Sequence, residues 1–161
     1  MGGWRVSTYV WRSYSFLASA EAPRIARKAL RNALQAWECA VETAELAELL
    51  ASEVVTNVIL HAPGGLRVPV DFGVAGDVLT FAALDDSPLP PQDRQVRDGT
   101  ETNGRGLPML KSLSSEFGYR RSGAGKVVFF RLKIDPIPLH VVQRERYSAF
   151  PPSPHVRLAA L

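Results

Sequence analysis

Glu53-Val54-Val55-Thr56-Asn57 places an acid and an amide four residues apart within a long, largely apolar stretch of the chain. Apolar residues recur around it with the three-to-four-residue period of an amphipathic helix, at Leu46, Leu49, Leu50, Val54, Val55, Val58 and Ile59. We expect Thr43 to cap this helix at its N-terminus and Pro63-Gly64-Gly65 to end it. On such a helix Glu53, Asn57 and His61 project from one stripe, because they are spaced i, i+4.

Glu53 and Asn57 carry complementary chemistry. The amide oxygen of Asn57 is a neutral hard ligand suited to Mg²⁺, which keeps several waters and takes few ligands from the protein. Glu53 can accept a proton from an attacking hydroxyl or water. The same residues are also compatible with the solvated face of an ordinary core helix, with His61 as a cation near its C-terminal end. The helix pattern alone leaves both interpretations open.

A second motif follows a short apolar run. Val78–Leu84 predicts a mostly buried strand, and Asp85-Asp86-Ser87-Pro88 comes directly after it. An ionised carboxylate accepts hydrogen bonds and donates none. At the end of a strand, Asp85 would therefore accept from the exocyclic amine of adenine and disfavour the keto oxygen of guanine. Ordinary turn chemistry also explains this combination of residues.

A third motif, Asn103-Gly104-Arg105-Gly106-Leu107, precedes another predicted helix. Glycines let backbone N–H groups approach an anion closely, and a helix N-terminus adds a favourable dipole. A lone Gly-x-Gly is a weak signal, because the ending of a P-loop and the third glycine of a dinucleotide fingerprint are missing. The residues between Asp86 and Gly104 show little hydrophobic periodicity, and we expect them to form a lid over bound phosphates.

In this order, the three motifs resemble those of the GHKL, or Bergerat-fold, ATP-binding superfamily. The resemblance runs from about residue 13 to residue 133 and includes the final strand motif Gly125-Lys126-Val127-Val128-Phe129-Phe130. Ser52–Asn57 and His61-Ala62 are similar to the anti-sigma factor serine/threonine kinases, especially the small actinobacterial ones. The resemblance implies a kinase that uses ATP and Mg²⁺ to phosphorylate an anti-anti-sigma factor and that also holds a sigma factor. It is compatible with a homodimer.

The resemblance also implies roles for single residues. Glu53 would be the catalytic base, Asn57 the magnesium ligand and Asp85 the adenine acceptor. The remaining nucleotide contacts would come from Ser87, Arg97, Gly104, Arg105, Gly106, Leu107 and Gly125.

This chain departs from the family pattern at four places. Ser87 and Leu89 stand where relatives have glycines, and Val127 stands where many have a threonine whose hydroxyl supports the adenine contact. The arginine that usually precedes the second glycine box is replaced by Glu101-Thr102-Asn103. We therefore expect Arg97 or Arg105 to contact the terminal phosphate in its place.

Composition predicts one globular domain in a reducing compartment. The chain has 161 residues, of which 46% are hydrophobic, enough to bury a substantial core. Its net charge of +3 is too small to indicate nucleic-acid binding. The single cysteine cannot form an internal disulfide, which favours a reducing compartment. We find no apolar run long enough to cross a bilayer and no signal-peptide core at the N-terminus. We therefore expect a cytoplasmic protein without membrane contact.

The predicted fold is an α+β two-layer sandwich with a mixed, mainly antiparallel sheet and helices on one face. We expect an N-terminal arm over residues 1–12, the ATP-binding domain over 13–135 and a proline-rich tail over 136–161, with a short docked segment near 139–142. The remaining predicted elements are strands over 13–17, 66–72, 119–121 and 126–134, a helix starting near Pro23, and a helix over 106–117.

Two other functions are compatible with the motifs. The chain could be a catalytically weak or silent nucleotide-binding module that regulates a protein partner by docking. A sensor histidine kinase is a weaker alternative, because it would need a phosphoacceptor histidine on a separate dimerisation hairpin, for which we expect no room upstream.

Overall fold

The computed structural model describes residues 9–61, 66–85, 106–123 and 125–148. The elements, in chain order, are β1 (Tyr9–Leu17), α1 (Ala22–Ala36), α2 (Val41–His61), β2 (Arg67–Ala75), β3 (Val78–Asp85), α3 (Gly106–Leu113), β4 (Glu116–Ser122), β5 (Gly125–Lys133) and α4 (Leu139–Ser148).

The five strands form one sheet in the order β1-β2-β3-β5-β4, and helices pack on one of its faces. The predicted α+β architecture is therefore confirmed. The sheet was expected to be mixed, but every neighbouring pair among the described strands is antiparallel. The reason lies in the last hairpin, in which β5 returns between β3 and β4 and is antiparallel to both.

The core lies between the sheet and the helices. Three phenylalanines stack across neighbouring strands, with ring centroids 6.0 Å apart for Phe72 and Phe81 and 5.5 Å apart for Phe81 and Phe130. The apolar stripe of α1 packs over them and continues to the buried Trp37 just after the helix. The matching stripe of α2 consists of Ala47, Leu50, Ala51, Val54, Val55 and Val58.

Several element boundaries differ from the sequence prediction. The N-cap assigned to Thr43 is wrong, because α2 begins two residues earlier and Glu42 occupies its first turn, where an acid favours the helix dipole. The strand expected over 13–17 begins at Tyr9, since pairing with β2 continues to Ala75, so residues 9–12 belong to the sheet. The helix expected to reach Phe117 ends at Leu113, because β4 begins at Glu116.

The docked segment expected near residues 139–142 is the beginning of helix α4, which continues to Ser148. Val141 and Val142 are buried in the main core, and the Arg12 guanidinium on β1 binds the Glu145 carboxylate at 3.0 Å. The Arg144 guanidinium donates to the carbonyl of Ala36 at the end of α1. Helix α4 is thus joined to both β1 and α1. Among the described helices, none has the length and apolar character needed to cross a membrane.

Gly73 lies in β2 where there is no space for a side chain. A Cβ atom at this position would lie 2.5 Å from the Val10 carbonyl oxygen and 2.6 Å from the Trp11 Cβ. We expect Gly73→Ala to lower the free energy of unfolding by about 1–3 kcal/mol, the usual cost of overpacking. Urea denaturation would measure the loss, with the exposed Ala75→Ser in the same strand as the control. Equal midpoints for Gly73→Ala and the control would contradict this prediction.

Candidate functional site

Helix α2 brings together the elements that carry the three sequence motifs. It packs over β3 and β5 and lies beside α3. Strand β3 ends at Asp85, and α3 begins at Gly106. Glu53 and Asn57 therefore lie on a helix that contacts both the strand ending at Asp85 and the helix beginning at Gly106.

Glu53 and Asn57 occupy an intermediate position on α2. Val54, Val55 and Val58 next to them are fully or almost fully buried, whereas Glu53 and Asn57 are half-buried. Burial raises the pKa of the Glu53 carboxyl above its ordinary value. A carboxylate that is partly withdrawn from water holds a proton more tightly, which makes Glu53 a better proton acceptor than an exposed glutamate.

Asp85 is buried and forms an ion pair that the sequence did not predict. Its Oδ2 atom lies 2.8 Å from the Lys126 Nζ atom, and both side chains are only 3% exposed. The two residues are direct partners in the β3–β5 register. A lysine directly before the apolar run Val127–Phe130 is the one signal that could have indicated this pair.

The alternation of side chains along β5 places Lys126 and Val127 on opposite faces of the sheet. Lys126 shares its face with Val128 and Phe130, which belong to the core under the helices. Val127 instead packs with Ala82 and Phe129 in a small apolar cluster on the other face. Val127 therefore does not lie on the face of Asp85, whereas its neighbour Lys126 does.

The other predicted nucleotide contacts are only partly covered by the structure. Gly106 and Leu107 are the first two residues of α3. Gly125 is the buried first residue of β5 and is paired with Ser122. The remaining predicted residues lie outside the described residues: Ser87, Arg97, Gly104 and Arg105.

The family can be assigned from the sequence as a whole. The sequence model of the histidine kinase-like ATPase domain matches residues 16–132, a range that includes α2, Asp85 and Lys126. The chain belongs to the histidine kinase-like ATPase family. None of the curated proteins compared with it matches its sequence.

This histidine kinase-like ATPase domain also resembles a solved structure. The fold is similar to that in the crystal structure of the RsbU and RsbW domains of Rv1364c from Mycobacterium tuberculosis, with a TM-score of 0.61 and 19% identity. The match covers 78% of this chain and 32% of that one, so this chain spans about a third of its length. At this identity the likeness concerns the fold.

Proposed function

We propose that this histidine kinase-like ATPase domain binds ATP with Mg²⁺ and transfers the γ-phosphate to a serine or threonine of an anti-anti-sigma factor. We further propose that it holds a sigma factor and acts in the cytoplasm, as a homodimer. The observation that carries the proposal is the position of Glu53, a carboxyl with a raised pKa one helical turn before Asn57 on the helix that packs over β3. An acid and an amide placed in this way match the needs of phosphoryl transfer.

Different residues would bind different parts of the nucleotide. Asp85 accepts a hydrogen bond from the adenine amine, and the backbone N–H groups around Gly104 and Gly106 bind the phosphates. Ser87, Leu107 and Gly125 would add nucleotide contacts, and Arg97 or Arg105 would contact the terminal phosphate. Phosphoryl transfer asks a protein mainly for positioning and for neutralisation of charge, which these groups supply.

The chemical step needs one base. The partner's hydroxyl oxygen forms a bond to the γ-phosphorus, the bond from that phosphorus to the bridging oxygen of ADP breaks, and Glu53 accepts the hydroxyl proton. A bound Mg²⁺ would neutralise phosphate charge, and the amide oxygen of Asn57 would be a ligand of the kind that it accepts. In the described ranges no three His, Cys, Asp or Glu side chains form a metal cluster. The protein ligand that we propose for Mg²⁺ is the amide oxygen of Asn57.

The identity of the solved relative supports the choice of partner. That structure includes an RsbW domain, and the first motif of this chain resembles that of anti-sigma factor kinases. A histidine kinase-like ATPase domain with this fold and this motif is best explained as a regulator of the anti-sigma factor kinase class.

One observation favours a second function, a docking module without catalysis. The carboxylate expected to bind adenine is already engaged by Lys126 in the buried ion pair. If this pair excludes the base, the domain would regulate its partner by binding alone.

Calorimetry with ATP and ADP, each with and without Mg²⁺, tests nucleotide binding. We expect Mg²⁺ to strengthen ATP binding by the wild type and to have much less effect on Asn57→Ala, because the metal loses its protein ligand. Thr56→Ala, a neighbouring and similarly half-buried residue on α2, is the matched control. An Mg²⁺ effect of the same size in Asn57→Ala and the control would contradict the assignment of Asn57.

Radiolabelled ATP then separates the two functions. A labelled anti-anti-sigma protein supports the kinase. Tight partner binding without label, whether or not ATP binds, would establish the docking module, and absence of ATP binding by the wild type would contradict the kinase.

A further inference from the structure

We propose that Lys126 is a second base-recognition residue, whose ammonium donates to ring nitrogen N1 of adenine while Asp85 accepts from the 6-amine. This inference rests on the proposed nucleotide function and extends it. It adds a residue that the motifs did not single out and defines which purine the site selects.

The geometry supports a joint role for the two side chains. Asp85 is the last residue of β3 and Lys126 the second residue of β5, and they face each other in an antiparallel register. Their contact of 2.8 Å sets an acceptor and a donor side by side on the face of the sheet covered by helices. Because each group is carried by a hydrogen-bonded strand, their order along the edge of a bound base is fixed.

The chemistry of purines matches this order. Adenine presents an amine donor next to the ring acceptor N1, so one edge requires an acceptor and a donor in adjacent positions. A carboxylate only accepts and an ammonium only donates, so Asp85 satisfies the amine and Lys126 satisfies N1. Guanine presents a keto acceptor and an N1–H donor in the reverse order. With the same pair held in place, the Asp85 carboxylate would face the keto oxygen of guanine, acceptor against acceptor. The Lys126 ammonium would face N1–H, donor against donor.

Lysine has the donor capacity for this role. Its ammonium carries three N–H groups, so a bond to Asp85 does not exhaust what it can donate. In a site with little water, leaving N1 without a donor would cost affinity, because a buried polar atom loses its hydrogen bonds to solvent. Val127 cannot supply a donor, since its side chain is apolar and packs on the opposite face. On β5, Lys126 is thus the residue whose side chain places a donor beside Asp85.

The alternative is that Lys126 only neutralises Asp85. A buried carboxylate without a counter-ion is strongly destabilising, so an ion pair at this place also has a purely structural explanation. The two roles differ in what they require of the ligand. A counter-ion is indifferent to the atom at position 1 of the purine, whereas a base-recognition residue requires an acceptor there.

Nucleotide analogues distinguish the roles in the unmodified protein. Calorimetry would compare ATP with 1-deaza-ATP, in which a C–H group replaces N1, and with 7-deaza-ATP, which lacks a ring nitrogen on another edge. We expect wild-type protein to bind 1-deaza-ATP about 10- to 100-fold more weakly than ATP, the usual effect of a hydrogen bond to a charged group. The 7-deaza analogue should bind as ATP does.

A variant provides the second arm of the experiment. Lys126→Met should bind ATP and 1-deaza-ATP equally, because the donor to N1 is gone. If this variant is unstable, Asp85→Asn/Lys126→Met removes both charges and should also fail to distinguish the two nucleotides. Equal binding of ATP and 1-deaza-ATP by the wild type would overturn the inference and leave the proposed function intact. No binding of ATP by the wild type would overturn both.

Discussion

Glu53→Gln is expected to slow phosphate transfer about 10²–10⁴-fold, the usual contribution of a general base, and to leave ATP affinity close to that of the wild type. Glutamine has nearly the same shape as glutamate but cannot accept the proton of the attacking hydroxyl. Initial rates with radiolabelled ATP and an anti-anti-sigma protein would measure the loss, and calorimetry would measure affinity. The matched control is Glu45→Gln, an exposed residue on the same helix.

The raised pKa of Glu53 gives this prediction a dependence on pH. Glu53 acts as a base only when it is deprotonated, so the wild-type rate should rise with pH through a pKa above the ordinary glutamate value. Glu53→Gln should lack this acidic limb. The folded protein also holds the Glu53 proton more tightly than the unfolded chain. The stability that this adds is therefore full below the unfolded pKa and is lost as pH rises through the folded pKa.

Three results would contradict the assignment of Glu53 as the base. The first is a Glu53→Gln rate equal to that of Glu45→Gln, which would place the base elsewhere. The second is an acidic limb that persists in Glu53→Gln, which would assign the titration to another group. A loss of ATP affinity as large as the loss of rate would mean that Glu53 acts in binding.

Asp85→Ala is expected to abolish measurable ATP binding and to lower the free energy of unfolding by about 3–5 kcal/mol. The first effect follows from loss of the adenine acceptor. The second follows because the Lys126 ammonium, 3% exposed, loses its carboxylate. Calorimetry would measure binding, and the urea midpoint would measure stability.

The two effects can be separated by a second substitution. Asp85→Ala/Lys126→Met removes both charges and should recover much of the stability, because replacing a whole buried ion pair by apolar groups is often close to neutral. It should not recover ATP binding. Asp77→Ala is a suitable control, since it breaks the more exposed pair with Lys133 at the other end of the same two strands and should change stability little. ATP binding by the double variant at wild-type strength would show that Asp85 does not recognise the base.

The sequence predicted those parts of the fold that depend on local periodicity. The helix starting near Pro23 and the apolar strand β3 follow from patterns within about fifteen residues, and the structure confirms both. The extension of β1 to Tyr9 was not predictable in this way, because it depends on pairing with β2 some sixty residues later. The helix α4 was predicted only in part, since its burial depends on contacts with β1 and α1.

In the candidate site, too, the sequence predicted the residues that are related by local spacing and missed those that depend on strand pairing. Glu53 and Asn57 could be found from their spacing on one helix, which is a local property. The partnership of Asp85 with Lys126 joins residues on two strands that meet only in the folded sheet, so no local pattern specifies it. The same holds for the orientation of Val127, which depends on the register of β5 and on the two-residue alternation of side chains.

The docking of α4 has a consequence for synthesis of the protein on the ribosome. Arg12 and Glu145 are 133 positions apart in the chain, and Val141 and Val142 complete a core that also contains Val10 and Phe16. Before α4 is synthesised, the nascent chain already contains α1, α2 and the strands of the sheet. It still exposes the apolar surface that α4 covers in the folded protein. Because nascent polypeptides grow at about 5–20 residues per second, that surface stays open to chaperones and to other chains for seconds, until α4 has been synthesised and has left the ribosome.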